Sequence, residues 1–292
     1  MLAYGKTIGN LLLGEIGALG AVAVFFVVIE SLWPAVPRQT KWRSGTSTDL
    51  ILSLFNPLVI HPLNGYLTML LLTSLIGIAG AARWEAMRGG IALQPYWLQI
   101  AAAVIVAEIA AYWKHRVFHM RWLWPIHAVH HSATEVDWLT NERDHPLQLL
   151  GTHLVLTTVL AFAGFSAEVF AAQAAVRRFY SLYTHANVTW SYGPLNRVFV
   201  SPAFHRWHHS TDPQMVGKNF AVMLSGLDVV FGSYRFPEPQ PAAFGLPDGR
   251  SVDHLGAVLV HPLTYLPLTR FRRQRAESQT SPLTRTAGPR SS

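Results

Sequence analysis

The stretch LQPYWLQIAAAVIVAEIAAYWKHRVFH, residues 93–119, runs an apolar helix straight into a polar end that carries histidine. The apolar part, Leu93 to Trp113, has about the 20 residues needed to cross a hydrocarbon layer of ~30 Å. Lys114 marks the boundary, and beyond it His115 and His119 fall four apart, on one face of the same helix. The segment predicts a spanning helix that delivers two imidazoles to its inner end. A His-x3-His pair is weak evidence of a metal when it stands alone, because two hydrogen-bonded interfacial histidines have the same spacing.

The composition extends this reading. Of 292 residues, 50% are hydrophobic and 13% are charged, where an ordinary soluble domain has roughly 25% charged; mean hydropathy is +0.24. The 23 Lys and Arg outnumber the 16 Asp and Glu. They sit beside apolar runs rather than in a stripe alternating with aromatics, which points to membrane anchoring and away from nucleic acid. The chain has no cysteine, which removes disulfides, Cys-ligated iron–sulfur clusters, thiolate haem and thiol nucleophiles together.

Working outward, the run from about Gly9 to Trp33 reads as a first span ending at Trp33-Pro34. A secretory signal is the rival, but the run is long for one and has no convincing small-residue cleavage site. Arg38, Lys41 and Arg43 then place the following loop in the cytoplasm. Leu50 to Ala82 leads outward, interrupted by Asn56-Pro57 and His61-Pro62, so it reads as one kinked helix or as an interfacial piece plus a span. The residues 93–113 return the chain to the cytoplasm. The block from Leu147 to about Tyr183 is too long for one span, and Gly164-Phe165-Ser166 predicts a hairpin there. From Asn187 onward the pattern is polar and reads as a cytoplasmic cap, and the basic, Ser/Thr/Pro-rich end, 270–292, reads as disordered. The expected fold is all-α: a bundle of about four spanning helices under a cytoplasmic helical cap.

Fourteen histidines are many for this length, and most lie between His115 and His209. His127-Ala-Val-His130-His131 follows the first pair, and His205-Arg-Trp-His208-His209 repeats that arrangement. Eight imidazoles buried together each need a polar partner, and protonating them would set like charges side by side. A pair of metal ions supplies the partners, since eight ligands exceed what a mononuclear zinc centre takes. Imidazole suits iron, zinc, copper and nickel, so ligand type alone leaves the metal open. There is no His-Glu-x-x-His protease helix and no Glu-x-x-His pair.

The order His-x3-His, His-x2-His-His, His-x2-His-His around a hydrophobic hairpin resembles the fatty acid hydroxylase/sterol desaturase superfamily of membrane di-iron enzymes, from about Ile100 to Tyr234. Arg143-Asp144-His145-Pro146, His185-Ala-Asn187 and the segment Asp-Val-Val-Phe-Gly-Ser-Tyr from Asp228 to Tyr234 resemble the family as well. Gly217, Ala221 and Leu227 depart from its usual residues. The resemblance implies that His115, His119, His127, His130, His131, His185, His205, His208 and His209 ligate or immediately surround two irons. It implies second-sphere or structural roles for His145, Asn187, Asn219 and Asp228, leaving His61, His153, His254 and His261 as ordinary residues. It divides the chain into N-terminal anchor helices (1–99), a catalytic domain (100–236) and a cytoplasmic tail (237–292).

The implied activity is hydroxylation or desaturation of a lipid C–H bond, on a fatty acyl chain or a sterol, with O2 as co-substrate and zinc as a possible substitute in purified protein. A separate electron donor, a ferredoxin or a b-type cytochrome with its reductase, is expected, because no Gly-x-Gly-x-x-Gly fingerprint or cysteine cluster is present. Arg116, Arg121, Arg206 and Lys218 are candidates to dock it. Among the tryptophans, Trp207 is the pocket candidate, while Trp113, Trp122, Trp124, Trp138 and Trp190 fit an interfacial belt. The competing classes are a non-catalytic metal-binding membrane protein and a metal transporter, which would place its ligands near the bilayer midplane.

Overall fold

The computed structural model describes residues 2–237 and 240–265. The expected disorder of 270–292 concerns residues outside that range. Among the described residues no strand ladder forms; extended backbone pairs only at two isolated bridges, Pro34–Val188 and Ser210–Phe244. The chain is helical: α1 (Leu2–Leu32), α2 (Thr46–Phe55), α3 (His61–Ala79), α4 (Ala81–Ala92), α5 (Tyr96–Phe118), α6 (Trp124–His127), α7 (Pro146–Phe162), α8 (Ala167–His185), α9 (Pro202–His208), α10 (Gly226–Val230) and α11 (Leu255–Val260).

Among the described residues, two helical runs are long and apolar enough to cross a membrane, Thr46–Ile78 and Tyr96–Phe118, and Ile16–Leu32, Pro146–Phe162 and Leu255–Tyr265 are shorter apolar helices. The first run settles the question left by its two prolines. Pro57 has no N–H to donate, and the helix widens there into a π turn, Asn56–Ile60, whose cap is the His61 N–H on the Asn56 carbonyl. The helix therefore continues through the prolines as one piece.

Along α5, Ala103, Ala107 and Ala111 recur every four residues and are fully buried. Their small side chains let α7 and α8 close in, and Leu156, Leu160, Phe165 and Val169 fill the space. The opposite face presents Ile105, Ile109 and Trp113 outward. α7 and α8 form the predicted hairpin. Gly164 turns it with φ +88°, and the Ser166 side chain accepts from the Val169 N–H to start α8.

The cap is fastened to these helices by buried polar contacts. Glu30, near the end of α1, accepts the N–H groups of Trp138 and Asn187 on one carboxylate oxygen, both at 2.9 Å. Trp138 stacks on Phe26 with ring centroids 5.8 Å apart, so it is a core residue and not part of an interfacial belt. Arg43 reaches both Asp137 and Asp49 at 2.7 Å, and Arg143 reaches Asp49 at 2.8 Å and Asp253 at 3.3 Å. Leu246, Val252 and Val258 pack on Leu52, Ala128 and Val129, so the described part of the C-terminal segment is docked on α2 and α6.

Buried arginines need their carboxylates, and breaking such a pair costs about 3–5 kcal/mol. Gly45 lets Arg143 lie flat against the backbone: its φ is +82°, and a Cβ there would stand 1.8 Å from an Arg143 Nη. Gly45→Ala is therefore expected to destabilise the fold by about 2–4 kcal/mol and to lower the melting temperature in detergent by roughly 5 °C or more. An unchanged melting temperature would show that Arg143 does not depend on this close approach.

Candidate metal centre

The nine candidate ligands sit on short helical turns or near helix ends. His115 is in the last turn of α5 and His119 caps it; His127 ends α6; His130 and His131 open a 3-10 turn; His185 ends α8; His205 and His208 belong to the short α9, which His209 caps. The nine rings collect into two groups. His115, His119, His127, His131 and His208 form one, and His130, His185, His205 and His209 the other, with potential ligand atoms within 4.8 Å of one another in each. The groups touch: the His131 and His209 rings stack with centroids 4.6 Å apart. The nine lie between positions 115 and 209, and the fold brings all of them together.

Their orientation carries the chemical information. In the first group, His115 Nε2 lies 3.0 Å from the Nε2 atoms of His127 and His208, and His127 Nε2 lies 3.1 Å from His119 and 3.2 Å from His131. In the second, His185 Nε2 is 3.2, 3.1 and 3.1 Å from His130, His205 and His209. The opposite ring nitrogens face oxygens: His115 Nδ1 the Phe220 carbonyl at 2.7 Å, His185 Nδ1 the Ser181 carbonyl at 2.7 Å, His208 Nδ1 the Lys218 carbonyl at 2.9 Å, and His130 Nδ1 the Arg143 carbonyl at 3.3 Å. A carbonyl can only accept, so these Nδ1 atoms carry the proton and the Nε2 atoms present bare lone pairs to one another. Lone pairs converging at 3 Å repel unless a cation lies among them. That donor set fits metal ions, with the outer contacts fixing tautomer and ring angle as around known imidazole–metal sites. His205 Nδ1 is buried and finds no partner among the described residues.

Gln148 touches the ring cluster and is passed over by the motif reading. Its Oε1 accepts from His127 Nδ1 at 2.8 Å, and its amide nitrogen donates to Asp144, which fixes the amide's orientation. The visible signal is a glutamine in the first turn of an otherwise apolar helix. Glu108 is passed over as well: an acid inside the α5 apolar run, buried, paired with Arg177 at 2.7 Å and accepting the N–H groups of Met223 and Leu224 at 2.8 and 3.3 Å. It clamps to α5 the loop whose Phe220 carbonyl orients His115.

The remaining candidates divide. Asp228 accepts from the Phe220 and Ala221 N–H groups at 2.7 and 3.0 Å and from Ser233 at 2.6 Å, so it shapes the same loop one step from His115. Asn219, at φ +60°, pairs through its amide with both backbone groups of Arg235. Asn187 pairs likewise with Val36, away from the rings. His145 caps α7, its Nδ1 accepting from the Leu147 N–H at 3.1 Å, and belongs to neither group. His61 and His153 face each other at 4.5 Å between α3 and α7, and His254 caps α11. Trp207 is buried. Arg206, a docking candidate in the sequence, is 1% exposed, lies over the Phe244 ring and is out of reach of any partner protein.

Comparison with known proteins agrees with this geometry. Residues 100–233, the segment that contains all nine histidines, match the fatty acid hydroxylase family. That segment belongs to the fatty acid hydroxylase/sterol desaturase superfamily. Relatives include the ornithine lipid hydroxylase OlsE of Rhizobium tropici, 32% identical over 150 residues, 51% of this chain and 45% of the relative. Alkylglycerol monooxygenase of Danio rerio is 28% identical over 52% of this chain and 32% of its own length. Methylsterol monooxygenase 2-2 of Arabidopsis thaliana is 25% identical over 52% and 59%. The chain thus spans less than two thirds of each of these relatives. No solved structure matches it.

Burial, reinforced by charge on neighbouring imidazoles, holds His127, His131 and His209 well below their ordinary range; burial takes His208 down to about 4. The unfolded chain binds these protons near 6.5, so between that value and the lowered ones it carries more protons than the folded chain. The contribution of these histidines to the stability of the metal-free protein is therefore complete above about pH 7 and is lost as pH drops through 6.5. Melting curves of chelator-treated protein at pH 7.5, 6.5 and 5.5 test this; a melting temperature that rises toward pH 5.5 would contradict it.

Proposed function

We propose that this protein is a membrane-bound, di-iron, O2-dependent monooxygenase that hydroxylates, or by loss of a second hydrogen desaturates, a C–H bond of a lipid such as a fatty acyl chain or a sterol. The observation that carries the reading is the convergence of nine imidazole lone pairs, five and four, at the polar end of an apolar helix. His115, His119, His127, His131 and His208 would hold one ion, and His130, His185, His205 and His209 the other. Two iron ions there supply the redox chemistry for R–H + O2 + 2e⁻ + 2H⁺ → R–OH + H2O. The relatives support the lipid class, since they are named as an ornithine lipid hydroxylase, an alkylglycerol monooxygenase and a methylsterol monooxygenase.

The protein's own part is to hold neutral ligands rigidly in a dry site. The carbonyls of Phe220, Lys218, Ser181 and Arg143 and the amide of Gln148 keep the Nδ1 atoms of His115, His208, His185, His130 and His127 protonated and their Nε2 atoms turned inward. Thr46–Ile78 and Tyr96–Phe118 cross the bilayer, and the basic residues Lys114, Arg116 and Arg121 put the α5 histidines on the cytoplasmic side. A lipid reaches such a site from within the layer, with its reacting carbon at the boundary. Electrons come from a separate ferredoxin, or b-type cytochrome with its reductase. Zinc in purified protein would occupy the same imidazoles without the redox chemistry.

Lipid mass spectrometry of cells making the wild-type chain beside His208→Ala tests the proposal. A lipid that gains one oxygen, or loses two hydrogens, should appear with the wild type and be absent with the variant. Identical lipid profiles, with both proteins folded and the wild type loaded with iron and supplied with reductant, would overturn it.

A further inference from the structure

The cap, polar by sequence, carries one surface of the opposite character. The segments 193–199 and 225–231 are laced together: the Ser225 hydroxyl donates to the Asn196 carbonyl at 2.6 Å and the Gly226 N–H to the Val198 carbonyl at 3.3 Å. The side chains of Asn196, Ser225 and Asp228 are turned inward, and the apolar side chains of both segments stand out. Leu195 is 57% exposed and Val230 75%, with Val198, Phe199 and Val229 exposed around them. Beside them lies an open groove of about 460 Å³ lined by Tyr180, Tyr192, Leu195 and Phe199. A soluble surface does not keep bulky apolar groups clustered in water without a reason.

The patch has a fixed position relative to α5. The Phe231 ring packs on Trp113 with centroids 4.8 Å apart, and Arg116 donates to the Phe231 carbonyl at 3.3 Å. At roughly 1.5 Å per residue, Trp113 stands about 26 Å along the helix from Tyr96, near the far edge of a hydrocarbon layer ~30 Å thick. Trp113 is itself exposed on the outward face of α5. The patch therefore continues the lipid-facing side of the span at the level where acyl chains meet headgroups. Its margin is basic: Arg197 lies over the Tyr234 ring, and Lys218 donates to the Gly232 carbonyl.

We propose that these two loops are a second membrane contact of the chain, inserting Leu195, Val198, Phe199, Val229 and Val230 into the cytoplasmic headgroup–acyl boundary, with Arg197 and Lys218 toward anionic headgroups. The contact draws the cap down onto the bilayer, as interfacial segments do when they bury ~5–10 Å deep, and opens the Tyr180–Tyr192 groove to lipid from the side. It rests on the reading of α5 as a spanning helix.

The cysteine-free sequence allows single labels. Leu195→Cys, Val230→Cys, Ile105→Cys on the outward face of α5, and Pro247→Cys in a polar turn would each carry an environment-sensitive fluorophore. The full chain is placed in phosphatidylcholine–phosphatidylglycerol nanodiscs, one copy per disc. Labels at 195 and 230 should be quenched by acyl-chain nitroxide at least about twofold more than the label at 247, and by aqueous iodide correspondingly less. Quenching at 105 but not at 195 and 230 would overturn the loop contact while leaving the span intact. Loss of lipid quenching at 105 as well would remove the span and the proposal together. Shielding at 195 and 230 from both quenchers, seen only with two copies per disc, would replace lipid by a second copy and overturn it too.

Discussion

Backbone carbonyls accept hydrogen bonds and cannot donate them, and the site depends on that asymmetry. Once the Nδ1 atoms of His115, His130, His185 and His208 are committed to carbonyl oxygens, their lone pairs have one place to go. Helix ends are where free carbonyls are found, which is why the histidines cluster there. The Lys218 and Phe220 carbonyls come from a loop instead, and that loop has to be held by something else.

Asp228 and Glu108 hold it. Asp228 binds the N–H groups of Phe220 and Ala221 from the cap side, and Glu108 binds those of Met223 and Leu224 from α5. Two carboxylates thus satisfy four consecutive-region donors that would otherwise be stranded in an apolar setting, where an unmet donor costs about 1–3 kcal/mol. On the other side, His130 leans on the Arg143 carbonyl, and the Arg143 guanidinium is tied to Asp49 at the start of α2. The site is fastened to both candidate spans through charged residues that never touch the rings.

How much of this the sequence disclosed follows from range. Apolar length and histidine spacing are local patterns, and they carried the helical class, the hairpin at Gly164 and the grouping of the three histidine boxes. His185 came only from the family resemblance, since a single histidine at a helix end has no spacing to read. The π turn at Asn56–Ile60 was beyond reach because a proline pair permits both a break and a bulge. Arg206 sits between two ligand positions in a basic-looking motif, and only its packing against Phe244 shows that it is interior. Gln148, Glu108 and Asp49 act on partners 21 to 115 residues away, a separation no local pattern records.

The central claim is that nine neutral imidazoles hold two metal ions in separate five- and four-ligand groups. Iron content per chain, measured by mass spectrometry of the metal in anaerobically purified protein, tests it most directly when wild type is set beside His119→Ala and His205→Ala, one from each group. The account predicts two irons per wild-type chain and a loss in either variant. A single iron in the wild type, or full iron in both variants, would contradict it.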